Sequence, residues 1–291
     1  MAIYILTDST ADLRPDEAAR KGIWIVPLKV MFGEEAFQDE LDHAGFFRRL
    51  AQADDLPTTS QANPDDFLPY FQRAKGGGDS VICLPMASSL SGTCQSALIA
   101  RELCGYEGVY VVDSTQTVLG LRLLIDLACL LRGQGMDAPA IVEELERAKG
   151  RVRLLAIVDT LKYLHKGGRL PAAASIAGEL LKVKPVIALR DGRLGLVGKG
   201  VGAKGSMAAL MKLVGEELAC DPRLPVYYGY TADDTLCRGL LGLAQQTFGP
   251  HRHEVHSVGA VIGTHVGPGA AVMVYLERES WTGGSTATAH S

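Results

Sequence analysis

Three turns in the first half of the chain crowd hydroxyl side chains onto a helix start: Thr7-Asp8-Ser9-Thr10, Ser88-Ser89-Leu90-Ser91-Gly92-Thr93 and Asp113-Ser114-Thr115. A helix N-terminus offers free backbone N–H groups and a partial positive charge, which suits an anion. Hydroxyls add hydrogen bonds to such a site without adding charge. Ser, Thr and Asp are also ordinary helix caps, and capping explains the first and third turns as well as a ligand does. The middle turn carries four hydroxyls in six residues, more than a cap needs, and points to a ligand.

Other residues add to this set. Thr58-Thr59-Ser60-Gln61 is a further hydroxyl cluster which, taken alone, reads as a loop. Lys166-Gly167-Gly168-Arg169 sets two cations around two glycines, as in a backbone that approaches a ligand closely or in a glycine-capped basic helix end. His265 falls in the Gly/Pro-rich run 263–269, read as a loop that places it at a ligand. The literal G-x-G-x-x-G at Gly200, Gly202 and Gly205 follows a hairpin strand, so it lacks the strand–turn–helix context of a dinucleotide site. His251, His253 and His256 do not read as a metal site, because only the first two share a strand face and no acidic or Cys partner has ligand spacing. No metal and no cofactor are expected. Ser91 and His265 could be set down as nucleophile and base, but the chain has no G-x-S-x-G elbow.

These residues need a scaffold, and the pattern supplies one. Strand-like runs at Ile3–Leu6, Ile23–Val30, Ser80–Leu84 and Val109–Val112 alternate with helical runs at 15–21, 44–53, 64–74, 92–103 and 115–132, then 138–149. Such alternation predicts βαβ units and a mainly parallel sheet, whose carboxyl edge gathers the hydroxyl turns. A boundary is expected at Gly150-Arg151. It leaves an N-terminal α/β domain over 1–150, a C-terminal α/β domain over 151–280 and a disordered tail over 281–291. In the second half, strands are expected at 154–158, 186–189, 194–197, 226–230, 254–257 and 270–275, and helices at 160–165, 206–218 and 234–247. The helix at 115–132 is apolar on most faces, as for a buried helix or one lining an apolar cavity.

Composition bounds the function. The chain has 291 residues, a net charge of −4, 47% hydrophobic and 6% aromatic residues. It has no basic surplus for phosphates and few rings for base stacking, which argues against nucleic acid. Six cysteines without a C-x-x-C pair, and an N-terminus without a signal-peptide pattern, lead us to expect a reduced, cytoplasmic protein. A hydroxyl-lined edge above an apolar interior predicts a ligand with a small anionic head and an apolar body.

Taken in order, the blocks resemble the DegV family. They are Thr7-Asp8-Ser9-Thr10-Ala11-Asp12-Leu13, Val26-Pro27-Leu28, Thr59-Ser60-Gln61, Ser88–Thr93, Asp113-Ser114, Leu161–Arg169, Lys184-Pro185 with Asp191-Gly192, and His265-Val266-Gly267-Pro268-Gly269. The resemblance implies a two-domain α/β protein that holds a long-chain fatty acid in an apolar tunnel between its domains. It further implies a non-enzymatic role, in which the carboxylate is presented to a separate ATP-dependent fatty acid kinase. Thr59 and Ser91 would hydrogen-bond the carboxylate with His265 nearby, and Arg169, with Lys166, would meet the kinase or the phosphate at the exposed edge. Transient contact with a membrane surface is a further expectation. Two departures stand out: the stretch Lys199–Lys204 lacks the Arg common in kinase-partnered members, and Cys94 stands where an aromatic is common. The rival readings are a lipid hydrolase or acyltransferase with Ser91 as nucleophile, and a phosphate-binding protein using Lys166, Arg169 and the glycines around Gly202.

Overall fold

The structure, a computed structural model, describes residues 1–37, 42–170 and 182–279. The chain opens with β1 (Ile3–Asp8), α1 (Pro15–Lys21), β2 (Ile23–Val26), β3 (Lys29–Phe32), β4 (Glu35–Ala36), α2 (His43–Gln52) and β5 (Thr58–Ser60). It continues through α3 (Pro64–Gly77), β6 (Ser80–Leu84), α4 (Thr93–Cys104), β7 (Val109–Val111), α5 (Val118–Gly133) and α6 (Ala138–Lys149). The second half runs β8 (Val152–Ile157), α7 (Lys162–Lys166), β9 (Val183–Arg190), β10 (Arg193–Val201), α8 (Gly202–Val214), β11 (Val226–Tyr230), α9 (Thr235–Phe248), β12 (His253–Ser257), α10 (Ala260–Val266) and β13 (Ala271–Leu276).

The fold is mixed α/β. The first half builds a four-stranded sheet, β2-β1-β6-β7, in which every pair is parallel, as the βαβ alternation predicts. The second half builds a six-stranded sheet, β10-β9-β8-β13-β11-β12, which is antiparallel except between β11 and β12. Its antiparallel start follows from the Asp191-Gly192 turn, where both residues take positive φ (48° and 75°) and link β9 directly to β10.

Several expectations need correction. The run Ile23–Val30 is two strands, divided at Pro27-Leu28, because Pro has no N–H to give a ladder. The second piece, β3, leaves the parallel sheet and pairs antiparallel with β4 and β5 in a three-stranded sheet. Thr58–Ser60 is therefore a strand rather than a loop, with Thr59 opposite Val30. The helix expected from Thr115 begins at Val118, because Asp113 ties the preceding turn by accepting from Ser88 N and Thr115 N. The helix expected from Ser206 begins at Gly202, directly after β10. Residues 263–266, the start of the presumed histidine loop at 263–269, lie in α10. The tail expectation for 281–291 lies outside the described residues.

One apolar core joins both large sheets, and the inward faces follow strand alternation. Leu154, Ala156, Ile187, Leu189, Val272 and Val274 face α5 and the first half. Their alternates Leu155, Ile157, Val186, Ala188, Ala271 and Met273 form a second core on the other face, with α8 and α9. The central α5 is buried nearly all round and packs on β1 as well as β8, β11 and β13. Two of its three charges are held by side chains of other elements. Arg122, 3% exposed, forks onto Glu17 of α1 at 2.5 and 2.7 Å, and Asp126 accepts from Lys21 and from Tyr227 of β11, both at 2.6 Å.

Candidate ligand-binding site

Four segments meet at one cavity mouth. Pairing of β5 with β3 delivers Thr59, and the turn after β6 delivers Ser91. The last turn of α10 delivers His265, and the chain just beyond α7 delivers Arg169. His265 Nε2 lies 2.9 Å from Thr59 Oγ1. Ser91 Oγ lies 2.9 Å from Thr93 Oγ1 and accepts from Thr93 N–H at 3.3 Å. Arg169 donates through Nε to Leu90 O at 3.2 Å and through Nη1 to Gly167 O at 2.5 Å, which fixes its guanidinium beside the Ser91 turn. A second clasp across the halves joins Ser89 Oγ to Gly192 O at the hairpin tip.

The protonation of this site follows from burial. Desolvation, with the Arg169 charge as second cause, pulls the His265 pKa from 6.5 down to about 4, so the imidazole is neutral at neutral pH. Its Nδ1 is buried without a hydrogen-bond partner. Gly167 presses against that nitrogen so closely that a Cβ there would stand 2.4 Å from it. The tautomer protonated on Nε2 donates to Thr59 Oγ1 and frees the Thr59 proton for a third group. Ser91 is arranged likewise. Thr93 Oγ1 accepts from Ala62 N–H at 3.4 Å, and when it donates forward to Ser91, the Ser91 proton is also free. The mouth can thus offer two aimed O–H donors next to an anchored cation.

Behind the mouth lies a cavity of about 380 Å³, within the range of small-molecule sites. Its floor is the inner face of the six-stranded sheet, with Leu154, Ala156, Ile187, Leu189 and Val272. Its opposite wall includes Leu28, Met86 and one stripe of the α10 segment, Val258, Val261, Ile262 and His265. Within α10, Val261, Ile262 and His265 share one face, an apolar stripe that ends in a polar residue at the mouth, with Val258 just ahead of the helix. The site can hold a polar acidic head at Thr59 and Ser91, with an apolar body along the sheet.

The candidates read from the sequence separate clearly. Thr59, Ser91, His265 and Arg169 all line this cavity. Lys166 is exposed at the end of α7 and does not line it. Gly202 does not line it either, and the glycines around it serve packing: a Cβ on Gly200 would meet Gly205 C at 2.1 Å, so strand and helix touch backbone to backbone. The first hydroxyl turn is structural. Asp8 accepts from Thr10 N, Thr10 Oγ1 and Met86 N at 3.0, 2.5 and 2.7 Å, and burial raises its pKa. The third is structural too, since Asp113 holds Ser88 and Thr115. His251 bonds Tyr228, His253 bonds the His251 carbonyl and His256 bonds Glu254, which occupies all three rings in separate contacts. The pair Ser91–His265 is not formed: the imidazole bonds Thr59, and the Ser91 hydroxyl bonds Thr93. Sequence reasoning missed the Thr93 support of Ser91 and the contact of Gly167 with His265. The Ser91-x-Thr93 spacing signals the first, whereas the second joins residues about a hundred positions apart and leaves no local trace.

The fold and site together define a class: mixed α/β proteins with a hydroxyl-lined mouth over an apolar cavity between a parallel and an antiparallel sheet. The chain belongs to the DegV family, whose model matches residues 2–278. A DegV domain-containing protein of Halalkalibacterium halodurans is 36% identical over 287 residues, covering 95% of this chain and 99% of the relative. A structure describing fatty acid binding of a DegV family protein from Thermus thermophilus superposes with a TM-score of 0.84 at 31% identity, covering 95% of this chain and 100% of that one. DegV of Bacillus subtilis, described as a fatty acid binding protein, superposes with a TM-score of 0.81 at 28% identity over 96% of this chain and 100% of its own. Among the described residues, no helix is long and apolar enough to cross a membrane.

Proposed function

We propose that this protein is a carrier of a long-chain fatty acid, held between an N-terminal half (1–150) and a C-terminal half (151–280). The carboxylate accepts from Thr59 and Ser91, and the acyl chain lies along the six-stranded sheet. His265 orients Thr59 as a neutral donor, and Arg169 balances the negative head from the rim. The observation that carries this reading is the mouth itself: two back-bonded hydroxyls and a neutral imidazole at one end of a mostly apolar cavity. The family relatives described as fatty acid binding support it. Burying about 14 methylenes of a palmitoyl chain is worth roughly 11 kcal/mol at about 0.8 kcal/mol each. Association costs of about 4–15 kcal/mol oppose this. The chain therefore supplies most of the affinity, while the hydroxyls keep the buried carboxylate from being left unpaired.

In the same reading the protein is not itself an enzyme. It acts in the cytoplasm, consistent with six unpaired cysteines, and presents the carboxylate to a separate ATP-dependent kinase that forms the acyl phosphate. Exposed Lys166 and the anchored Arg169 flank the place where such a partner would approach. The first test is native mass spectrometry of the purified protein, followed by organic extraction. A fatty acid released on denaturation supports the proposal, and a protein that is empty and takes up no added fatty acid overturns it. A fluorophosphonate probe addresses the acyl-transfer reading. With Thr93 rather than a base on Ser91, we expect no labelling.

A further inference from the structure

A bare glycine stands where the cavity floor ends. The mouth lies over one side of the six-stranded sheet, because Ser89 holds the Ser91 turn to the β9–β10 hairpin tip and Arg169 holds it through Leu90 O. From β9 the floor crosses β8 and β13 before it reaches β11, three strand spacings or roughly 14 Å at about 4.8 Å each. On β11, Gly229 lines the cavity, while Tyr227, the next inward position, is buried and anchored on Asp126. Val255, His256 and Ser257 of β12, the next strand, line a separate groove with Asp12, Glu17 and Arg122. The apolar slot therefore runs out over Gly229.

Gly229 is paired on both sides, with His256 and with Val272, and its φ is not left-handed, so the backbone does not call for glycine. In a strand interior such a glycine weakens the strand and marks a close approach. Here a Cβ would stand 2.8 Å from Val272 Cγ1 and 2.8 Å from Leu119 Cδ1. Leu119 is fully buried in α5 and has no room to give, whereas Val272 is 8% exposed and lines the cavity. Any side chain at 229 would thus push Val272 back over the slot. We propose that Gly229 and Val272 form the end stop of the slot and set the longest acyl chain the protein holds. An apolar cavity of about 150 Å³ takes one benzene, about 25 Å³ per carbon, so the cavity of about 380 Å³ takes about 15 carbons and centres the range on palmitate. This inference rests on the fatty acid reading above and deepens it by naming the chain length.

The test compares dissociation constants of laurate, palmitate and arachidate for the wild type, Gly229→Ala and Val272→Ala. Each buried methylene is worth about fourfold in affinity. Wild-type affinity should rise steeply from laurate to palmitate and no further to arachidate. Gly229→Ala should weaken palmitate about tenfold, the equivalent of nearly two methylenes, and leave laurate, which does not reach the stop, within about twofold. Val272→Ala should improve arachidate relative to palmitate by about fourfold. A Gly229→Ala effect equal on laurate and palmitate, or absent from both, overturns the end stop, as does a Val272→Ala variant that gains nothing for arachidate. Should the melting curve show that Gly229→Ala does not fold, Val272→Ala alone decides. A wild type that binds none of the three acids overturns the fatty acid reading and the end stop with it, whereas length-independent effects overturn the end stop only.

Discussion

The depressed His265 pKa makes a quantitative prediction about acid stability. In the folded chain the imidazole titrates near about 4, against 6.5 for an ordinary histidine, because burial and the neighbouring Arg169 disfavour its charged form. Above pH 6.5 the ring is neutral in both states and linkage adds nothing. As the pH falls below that value, the unfolded chain takes up a proton that the folded chain refuses, so stability is lost until the pH nears the folded pKa. At pH 5 the loss works out at roughly 2 kcal/mol, and it approaches about 3 kcal/mol near pH 4. The perturbation is His265→Gln, which keeps a neutral donor beside Thr59 and removes the titration. Urea unfolding from pH 7.5 to 5 measures it, a window that lies mostly above carboxylate titration. The wild type should lose about 2 kcal/mol more than the variant over this range. Parallel stability curves would refute the argument and show that His265 is protonated without cost in the folded protein. Saturation with a fatty acid should shrink the difference, because a carboxylate near the ring favours its charged form.

Three further outcomes are expected. Thr59→Ala and Ser91→Ala should each weaken fatty acid binding roughly ten- to a hundredfold, the range for hydrogen bonds to a charged group, with the fold intact by circular dichroism. Gly167→Ala should displace His265, because the new Cβ would stand 2.4 Å from Nδ1 and 3.1 Å from the Tyr163 carbonyl. Its signature in a histidine NMR titration is a pKa moved from about 4 back towards 6.5, since a displaced ring regains water. Glu17→Ala removes the 2.5 Å partner of Arg122, which is 3% exposed, and leaves it only Asp126 at 4.0 Å and the Asp12 carbonyl at 3.3 Å; it should cost about 3 kcal/mol in denaturant unfolding.

Much of this architecture was legible in the sequence where local rules decide. Asn63-Pro64 marks the start of α3 because the cap and the proline act within one turn, and Asp66 completes the capping box. Asp191-Gly192 marks the hairpin because few dipeptides tolerate positive φ at both positions. Legibility fails where long-range pairing overrides local appearance. Thr58–Ser60 is polar and short, and becomes a strand because β3 stands ready to pair with it. Residues 263–269, rich in glycine, read as a loop, yet their first part lies in α10, which Val261 and Ile262 anchor against the cavity. The antiparallel character of the second sheet was hidden for a related reason. Helix–strand alternation continues on either side of the β9–β10 hairpin, but β13 enters between β8 and β11 and runs antiparallel to both.

The site residues were recognisable by type, while their chemistry depends on contacts no motif encodes. An anion site could hold its ligand with a free Lys or a glycine-rich cradle. Here Arg169, the cation at the mouth among the described residues, is anchored by two backbone carbonyls, and the hydroxyl donors there are neutral. Neutral donors suit a ligand that enters a low-dielectric cavity, since fully exposing a buried ammonium or guanidinium to an empty apolar pocket would cost several kcal/mol per charge. Hydroxyls backed by protein partners avoid that cost when the cavity is empty and still satisfy a carboxylate when it is filled.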